Sequence, residues 1–332
     1  MDSSELYVVK QHFILGRPQK YTVILVRPSP PCPGAYKMLV DLTLPDPSSP
    51  DYAPTLVYQA RAHIALNKPR AAADLVPADT EDVSLKAVAA LARYVGASVS
   101  ADKDSSLEEL RDLCVEIEGE DLDATDKEKG MVRILAGTAF AIAGEVEEAL
   151  ETLGVGTTTD NLEAVALIVQ IYLSINRPDL ARKEFERAKR WAEDDLLIQL
   201  IEASIGLVTG KDGYTDANAF YTEQLANPSL SSPRLLTARG VTRLLKGEIS
   251  GAKSDFEEAV SQSGGVADAE TLAAMTAAAG LGASKYAEAD QLWSQLTSEY
   301  PKFPLVVDLT GKAELFDDLC TKFEVPPVAA AA

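Results

Sequence analysis

Residues 161–194 read NLEAVALIVQIYLSINRPDLARKEFERAKRWAED. Val165, Ile168, Val169 and Tyr172 fall at helical spacing on one stripe of a first helix. Asn176-Arg177-Pro178 ends it, because proline lacks the N–H that a continuing helix uses. Asp179 then stands in the first turn of a second helix, where a carboxylate favours the positive end of the dipole. Ala181 follows Pro178 by three residues and precedes Phe185 by four. A small residue there lets two antiparallel helices approach closely, and the aromatic ring covers the gap.

The spacing recurs. The intervals between Ala149, Ala181, Ala217, Ala252 and Ala289 are 32, 36, 35 and 37. Four residues after each come Leu153, Phe185, Tyr221, Phe256 and Trp293; three before come Val146, Pro178, Tyr214, Ile249 and Tyr286. Twelve before, on the first helix of each pair, come Gly137, Val169, Ile205, Gly240 and Ala277. Turns fall at Ala143-Gly144, Asn176-Arg177, Gly210 to Gly213, Lys246-Gly247 and Gly282 to Lys285. Ala72 obeys the same rule, with Pro69 before it, Val76 after it and Ala60 twelve back, and it precedes Ala149 by close to two periods. Residues 84–96 and 106–119 fill that interval as a pair, with Ser84 and Ser106 as caps, a polar linker at 98–105 and an exposed connection at 119–129. Pro301 and Pro304 close the last unit, and residues 310–324 read as a terminal capping helix.

A period of about 34 residues, with helix–turn–helix content and these small and aromatic positions, is the tetratricopeptide signature. One hairpin cannot bury its apolar face alone, so neighbours stack into a continuous core with a concave wall. The fold expected is all-α: a tetratricopeptide-like helix–turn–helix solenoid, an α-α superhelix, as one domain over residues 1–325, with residues 326–332 a disordered tail.

The N-terminal part departs from the rule. Residues 4–16 read as an amphipathic helix, but residues 21–36, YTVILVRPSPPCPGAY, begin as a β-like apolar run and end in Pro28, Pro30, Pro31 and Pro33. Prolines at that density do not sit inside a helix. Joining Lys20 to Lys37 restores an uninterrupted hairpin over 4–44. The irregular Pro-rich segment 21–36 therefore reads either as an ordinary loop or as an insertion, such as an intron carried into the reading frame. A second proline-rich connector is expected at 45–54.

The totals narrow the function. Among 332 residues, 31 are Lys or Arg and 51 are Asp or Glu, for a formal charge of −20. A field of that sign repels phosphate backbones and anionic lipid, so no nucleic-acid partner is expected. Cys32, Cys114 and Cys320 form no CxxC pair, which argues against a disulfide framework or structural zinc and fits a reducing cytosol. The opening MDSSELYVVKQHF carries acid early and does not read as a signal peptide. No apolar run reaches the roughly 18–20 residues of a membrane span, so no direct membrane insertion is expected.

Searches for chemistry return ordinary helix positions. His12 and His63 have no Cys or His at ligand spacing, so neither a metal site nor a His-based triad is expected. Cys114 and Cys320 lie on apolar stripes and read as buried small hydrophobes. Gly264-Gly265 and Gly280-x-Gly282 lack the strand-to-helix setting of a phosphate loop. Glu147-Glu148 and Asp317-Asp318 read as solvated faces. Arg182, Lys183, Arg187, Lys189 and Arg190, interleaved with Glu184 and Glu186, read as a charge-laced helix face; a contact with an acidic partner is the alternative. Trp191 and Trp293 read as core covers. The chain is expected to have no catalytic residues and no cofactor.

Specific stretches go beyond a generic repeat. Leu180-Ala181-Arg182-Lys183-Glu184, then Leu197-Ile198-Gln199-Leu200, and the ending YPKFPLVVDLTGKAELFDDLCTKFEVPP with Lys312, Phe316, Asp317 and Leu319 resemble the coatomer epsilon subunit family of the COPI vesicle coat, in a fungal-type sequence. The opening ELYVVKQHFILG is also similar to that family's first helix. The resemblance covers nearly the whole chain and departs at residues 21–36. It implies a non-catalytic coat subunit that binds and stabilises the C-terminal region of the alpha subunit, and through it the rest of the coat. It also implies a cytoplasmic protein, peripheral on Golgi membranes and COPI-coated vesicles, serving retrograde Golgi-to-ER and intra-Golgi transport.

The expected inner wall includes Met131, Ile134, Thr138, Ala166, Gln170, Leu173, Thr237, Val241 and Leu244, with Met131, Ile134, Gln170, Leu173, Val241 and Leu244 as the partner-binding set. These residues are mainly apolar or neutral, which suits a lasting subunit contact. The alternative is a tetratricopeptide co-chaperone or adapter that clamps acidic peptides with Lys and Asn.

Overall fold

The computed structural model describes residues 33–119, 124–157, 160–210, 212–227, 232–281 and 286–323. Sixteen helices and no strand occur among them: α1 (Pro33–Val40), α2 (Tyr52–Ala65), α3 (Pro69–Leu75), α4 (Val83–Gly96), α5 (Ser100–Glu116), α6 (Asp126–Ala143), α7 (Val146–Thr152), α8 (Leu162–Ser174), α9 (Pro178–Lys189), α10 (Leu196–Thr209), α11 (Asp212–Ala226), α12 (Pro233–Leu245), α13 (Ile249–Gln262), α14 (Ala269–Gly280), α15 (Tyr286–Glu299) and α16 (Pro304–Lys322). The expected helix at 4–16, the run at 21–32, the turn at 282–285 and the tail at 326–332 lie outside the described residues.

Helices α2 to α15 form seven antiparallel hairpins stacked in chain order. First helices pack on one another from α2 through α4, α6 and α8 to α10, and α12 packs on α14; between α10 and α12 the join runs through α11. One core extends from Leu56 to Ile205, and smaller clusters continue it through α10 to α16.

The repeat rule has a backbone cause. Asn67, Gly144, Asn176 and Gly247 each stand five residues before a buried alanine and adopt φ of 60°, 88°, 57° and 83°. Left-handed residues of this kind end helices in the Schellman turn, and Gly and Asn reach that conformation at least cost. The closing bond repeats: the N–H groups of Lys68, Glu145, Arg177 and Glu248 donate to the carbonyls of His63, Phe140, Tyr172 and Arg243 at 2.8–2.9 Å. The chain thus enters these four second helices through the same turn, and Ala72, Ala149, Ala181 and Ala252 are fully buried.

The large residue four positions on needs space opposite. A Cβ on Gly137 would lie 2.7 Å from Leu153 Cγ, and one on Gly240 would overlap the Phe256 ring. Gly206 and Gly213 approach backbone to backbone, so that a Cβ on either would sit 2.7–2.8 Å from the other.

First helices are capped by side chains. The Asp82 carboxylate accepts from the N–H groups of Ser84 and Leu85, Asn161 from Glu163 and Ala164, and Asp268 from Thr271. Thr125 and Glu128 form a reciprocal capping box on α6. Each such cap stabilises a helix by about 1 kcal/mol.

Several boundaries differ from expectation. Asp82, not Ser84, caps α4, because its carboxylate reaches two free N–H groups at once. Ser106 is no cap: it lies inside α5, donates its hydroxyl to the Asp102 carbonyl and takes the small buried position one period after Ala72. The polar run from Ser100 is the exposed start of that helix rather than a linker. Likewise 126–129 belong to α6. Helix α1 begins at Pro33, so residues 33–36 are helical, and Tyr36 is buried. A proline's fixed φ suits the first position of a helix. Pro304 does the same for α16, which starts six residues earlier than expected. Beyond its first turn α16 stands in solvent, with Cys320 exposed rather than buried. In the last hairpin Ala278, not Ala277, is the buried small residue.

Candidate partner-binding surface

The N-terminal hairpins curl tightly enough for distant first helices to touch. Arg61 near the end of α2 reaches Glu163 in the first turn of α8, Nη2 to Oε1 2.6 Å, with side chains only 6 % and 12 % exposed. The same guanidinium lies 5.3 Å above the Tyr58 ring, and its Nη1 is 3.5 Å from Met131 Sδ on α6. The Tyr58 hydroxyl donates to Glu163 at 3.4 Å. Burial alone would lower the Arg61 pKa, but the Glu163 carboxylate together with Tyr58 and Tyr36 outweighs it and holds the pKa above its ordinary value. Tyr36 and Leu39 of α1 pack on Tyr58, Ala62 and Met131, and Gln59 Nε2 donates to the Leu39 and Leu42 carbonyls at 3.0 and 2.6 Å. Three first helices and α1 therefore meet at one rim.

Against that geometry the six expected contact residues separate. Ile134 and Leu173 are 1 % and 8 % exposed and belong to the core. A first helix in a tight curl is covered by both neighbouring first helices and by its own partner. Helix α8 buries nearly every residue from Ala164 to Leu173, Gln170 excepted. Met131 is half-buried within the Arg61 cluster, and Gln170 is half-buried on α8. Val241 and Leu244 are half-buried on α12, leaning on Ala252, Phe256 and Ala278. Met131 and Gln170 thus lie on the α6–α8 segment and Val241 and Leu244 on α12. Ala166 and Thr237 are buried, and Thr138 is half-buried, its hydroxyl donating to the Ile134 carbonyl.

Sequence reasoning missed the polar links within and between hairpins. Arg111 of α5 holds Glu145 and Glu148 at 2.8 and 2.7 Å. Asp255 accepts from Arg239 and Arg243 at 2.7 and 2.8 Å. Arg234 pairs with Glu270 at 2.9 Å, and Thr237 and Thr271 share a buried 2.7 Å hydrogen bond between α12 and α14. Charge at these positions looks like any solvated face; the acids stand about a repeat away from Arg111 and Arg234 but only 16 and 12 residues from Arg239 and Arg243. Of the basic run on α9, Arg187 pairs with Glu184 at 2.6 Å and Lys189 with Glu202 at 3.5 Å, while Arg182, Lys183 and Arg190 are exposed beside the exposed Trp191. Trp293 is half-buried against the α14 cluster. His12 lies outside the described residues. His63 is half-buried, its pKa lowered by burial and then by Lys68. Burial pushes the Cys114 thiol up to about 11. Among the described residues no group of three or more His, Cys, Asp or Glu could hold a metal ion, and no helix is long and apolar enough to cross a membrane.

Stacked helical hairpins with a main core over the first half, smaller clusters over the rest and half-buried apolar residues on the first helices define a tetratricopeptide-like solenoid. A tetratricopeptide repeat protein from Parabacteroides merdae shares this fold, with a TM-score of 0.55 over 77 % of this chain and 96 % of that one at 12 % identity. The profile of the coatomer epsilon subunit family matches residues 33–324. The chain belongs to that family, whose members are structural components of a vesicle coat. It is 25 % identical over 324 residues to a probable coatomer subunit epsilon of Schizosaccharomyces pombe, covering 97 % of this chain and 96 % of that protein. It is 26 % identical over 297 residues to coatomer subunit epsilon-1 of Arabidopsis thaliana, covering 87 % of this chain and 93 % of that one.

Proposed function

We propose that the chain is the non-catalytic subunit of the COPI coat that binds and stabilises the C-terminal region of the alpha subunit. In this role it serves retrograde Golgi-to-ER and intra-Golgi transport from the cytosolic face of the membrane. The observation that carries the reading is the family match from residue 33 to residue 324, which spans every hairpin of the array. Half-buried Met131, Gln170, Val241 and Leu244 support a broad, mostly apolar contact rather than a clamp for a charged peptide tail. Ile134 and Leu173 support that contact from beneath, by holding α6 and α8 in place.

Co-purification of the tagged full chain from cytosol tests this reading. An alpha-type coat subunit recovered at equal stoichiometry is the expected result. Recovery of a chaperone in its place would overturn the reading in favour of a peptide-binding adapter.

A further inference from the structure

Helix α16 leaves more large apolar side chains in water than any other described helix. It meets the array through its first turn, where Val306 is 5 % exposed against Ala269, Leu272 and Leu296. From Val307 to Phe323 every residue is exposed, with Phe316 at 66 % and Phe323 at 71 %. Most of a helix's stability in a protein comes from packing its apolar face, and an exposed apolar stripe on a folded protein marks a contact surface.

The side chains along the stripe and its edges point to an occupant. Leu305, Leu309, Lys312, Phe316, Leu319 and Phe323 follow one another in alternating steps of four and three, the seam spacing of a two-stranded coiled coil. The set is symmetric about Glu314. Leu305 and Phe323 lie nine residues from it, Leu309 and Leu319 five, and Lys312 and Phe316 two. An antiparallel second copy, level at Glu314, sets Leu309 against Leu319 and the Lys312 ammonium against the Phe316 ring, while Phe323, the extended residue that ends the helix, lies level with Leu305. The contact of Lys312 with Phe316 is a cation–π pair.

The flanks agree. One edge of the seam carries Asp308, Leu315 and Lys322, so the antiparallel pair brings Asp308 of each copy beside Lys322 of the other, with Leu315 against Leu315 between them. The opposite edge brings Ala313 against Ala313, which permits close approach. Thr310, Glu314, Asp317, Asp318 and Thr321 stay outward. In the single chain Asp308 pairs with Lys312 at 2.6 Å and Lys322 with Asp318 at 2.7 Å, all four well exposed. Exposed pairs contribute little, so exchanging them for contacts between copies costs little. A parallel in-register pair would instead stack Lys312 on Lys312 in the seam.

We infer that α16 is a self-association element through which two copies of the chain join as an antiparallel helix pair with two-fold symmetry. The seam spans fewer than three heptads, so the dimer dissociates on dilution through the micromolar range.

Sedimentation equilibrium of the full chain across that range tests the inference. A concentration-dependent monomer–dimer equilibrium is expected. Leu309→Asp raises the dissociation constant by about a hundredfold or more, and Asp308→Lys by about tenfold. The double variant Asp308→Lys, Lys322→Asp recovers most of the loss. Circular dichroism of Leu309→Asp keeps the helical signal of the array, since Leu309 is itself exposed. A chain that stays monomeric across the range overturns the inference, as does an Asp308→Lys variant that dimerises like the parent. A Cys320–Cys320 disulfide formed on mild oxidation also overturns it, because the antiparallel pair holds those thiols roughly 18 Å apart along the axis.

Discussion

Arg61 and Glu163 meet at 2.6 Å although 102 residues separate them. Two complete hairpins, α4/α5 and α6/α7, lie between their helices. The contact exists because the first helices fan inward so steeply that the end of α2 faces the start of α8. Tyr58 and Met131 close around the pair and exclude water from it.

Removing one partner leaves a charge buried without its counterion. Glu163→Ala is expected to lower stability by about 3 kcal/mol, and the double variant Arg61→Met, Glu163→Leu by clearly less. The comparison is Glu109→Ala, which breaks the half-exposed Arg93–Glu109 pair and costs under about 1 kcal/mol. Urea unfolding followed by circular dichroism measures all three; equal losses for Glu163→Ala and Glu109→Ala would refute the picture of a sealed pair.

Gly240 is glycine because the Phe256 ring occupies the place of its side chain. Gly240→Ala is expected to destabilise by about 1–3 kcal/mol through overpacking. Adding Phe256→Leu should return only a small part of the loss, since Leu153, in the same role, still lies 2.7 Å from where a Cβ on Gly137 would stand. Thermal melts of the single and double variants decide the matter.

Acid should loosen specific links. The hydrogen bond from Arg111 lowers the Glu148 pKa below 4.5, and that from Arg177 lowers the Asp179 pKa to about 2. Both carboxylates stay ionised to lower pH in the folded chain than in the unfolded one. Their stabilisation is therefore complete above the ordinary carboxylate range and drains away as pH falls through the folded values. Arg111→Met removes the Glu148 share, so the gap in melting temperature between parent and variant should narrow as pH drops below 4.5. A gap that widens on acidification would contradict the assignment.

Two neighbours on α8 should behave in opposite ways. Leu173→Asp puts a carboxylate into the core and is expected to unfold the surrounding hairpins. Gln170→Arg keeps the helical signal but weakens capture of an alpha-type subunit by about tenfold. Circular dichroism and quantitative pull-down on the same two preparations separate the effects; intact capture by Gln170→Arg would move the contact off α8.

The hairpin period is legible in the sequence because it is enforced locally. Asn176 and Ala181 are five residues apart, and a left-handed turn ties one to the other here and in three further hairpins. Curvature is another matter. The approach of Arg61 to Glu163 sums small rotations over several hairpins, and no local pattern records the sum. Spacing on a straight array puts Ile134 and Leu173 on the open wall, and the tight curl buries them. Ser106 misleads because serine suits a cap and a small core position equally; its place one period after Ala72 carries the better signal. Helix α16 shows the converse case. Its apolar stripe is plain in the sequence, yet spacing alone does not separate a stripe that packs on its own chain from one left open.

The meeting of Arg61 with Glu163 also sets an order on synthesis. Hairpins can zip as they leave the ribosome, but this clasp must wait for a carboxylate encoded 102 codons later, a delay of roughly 5–20 s at ordinary translation speeds. Until then the Arg61 guanidinium has only the Tyr58 ring beside it, with Met131 arriving partway through the interval.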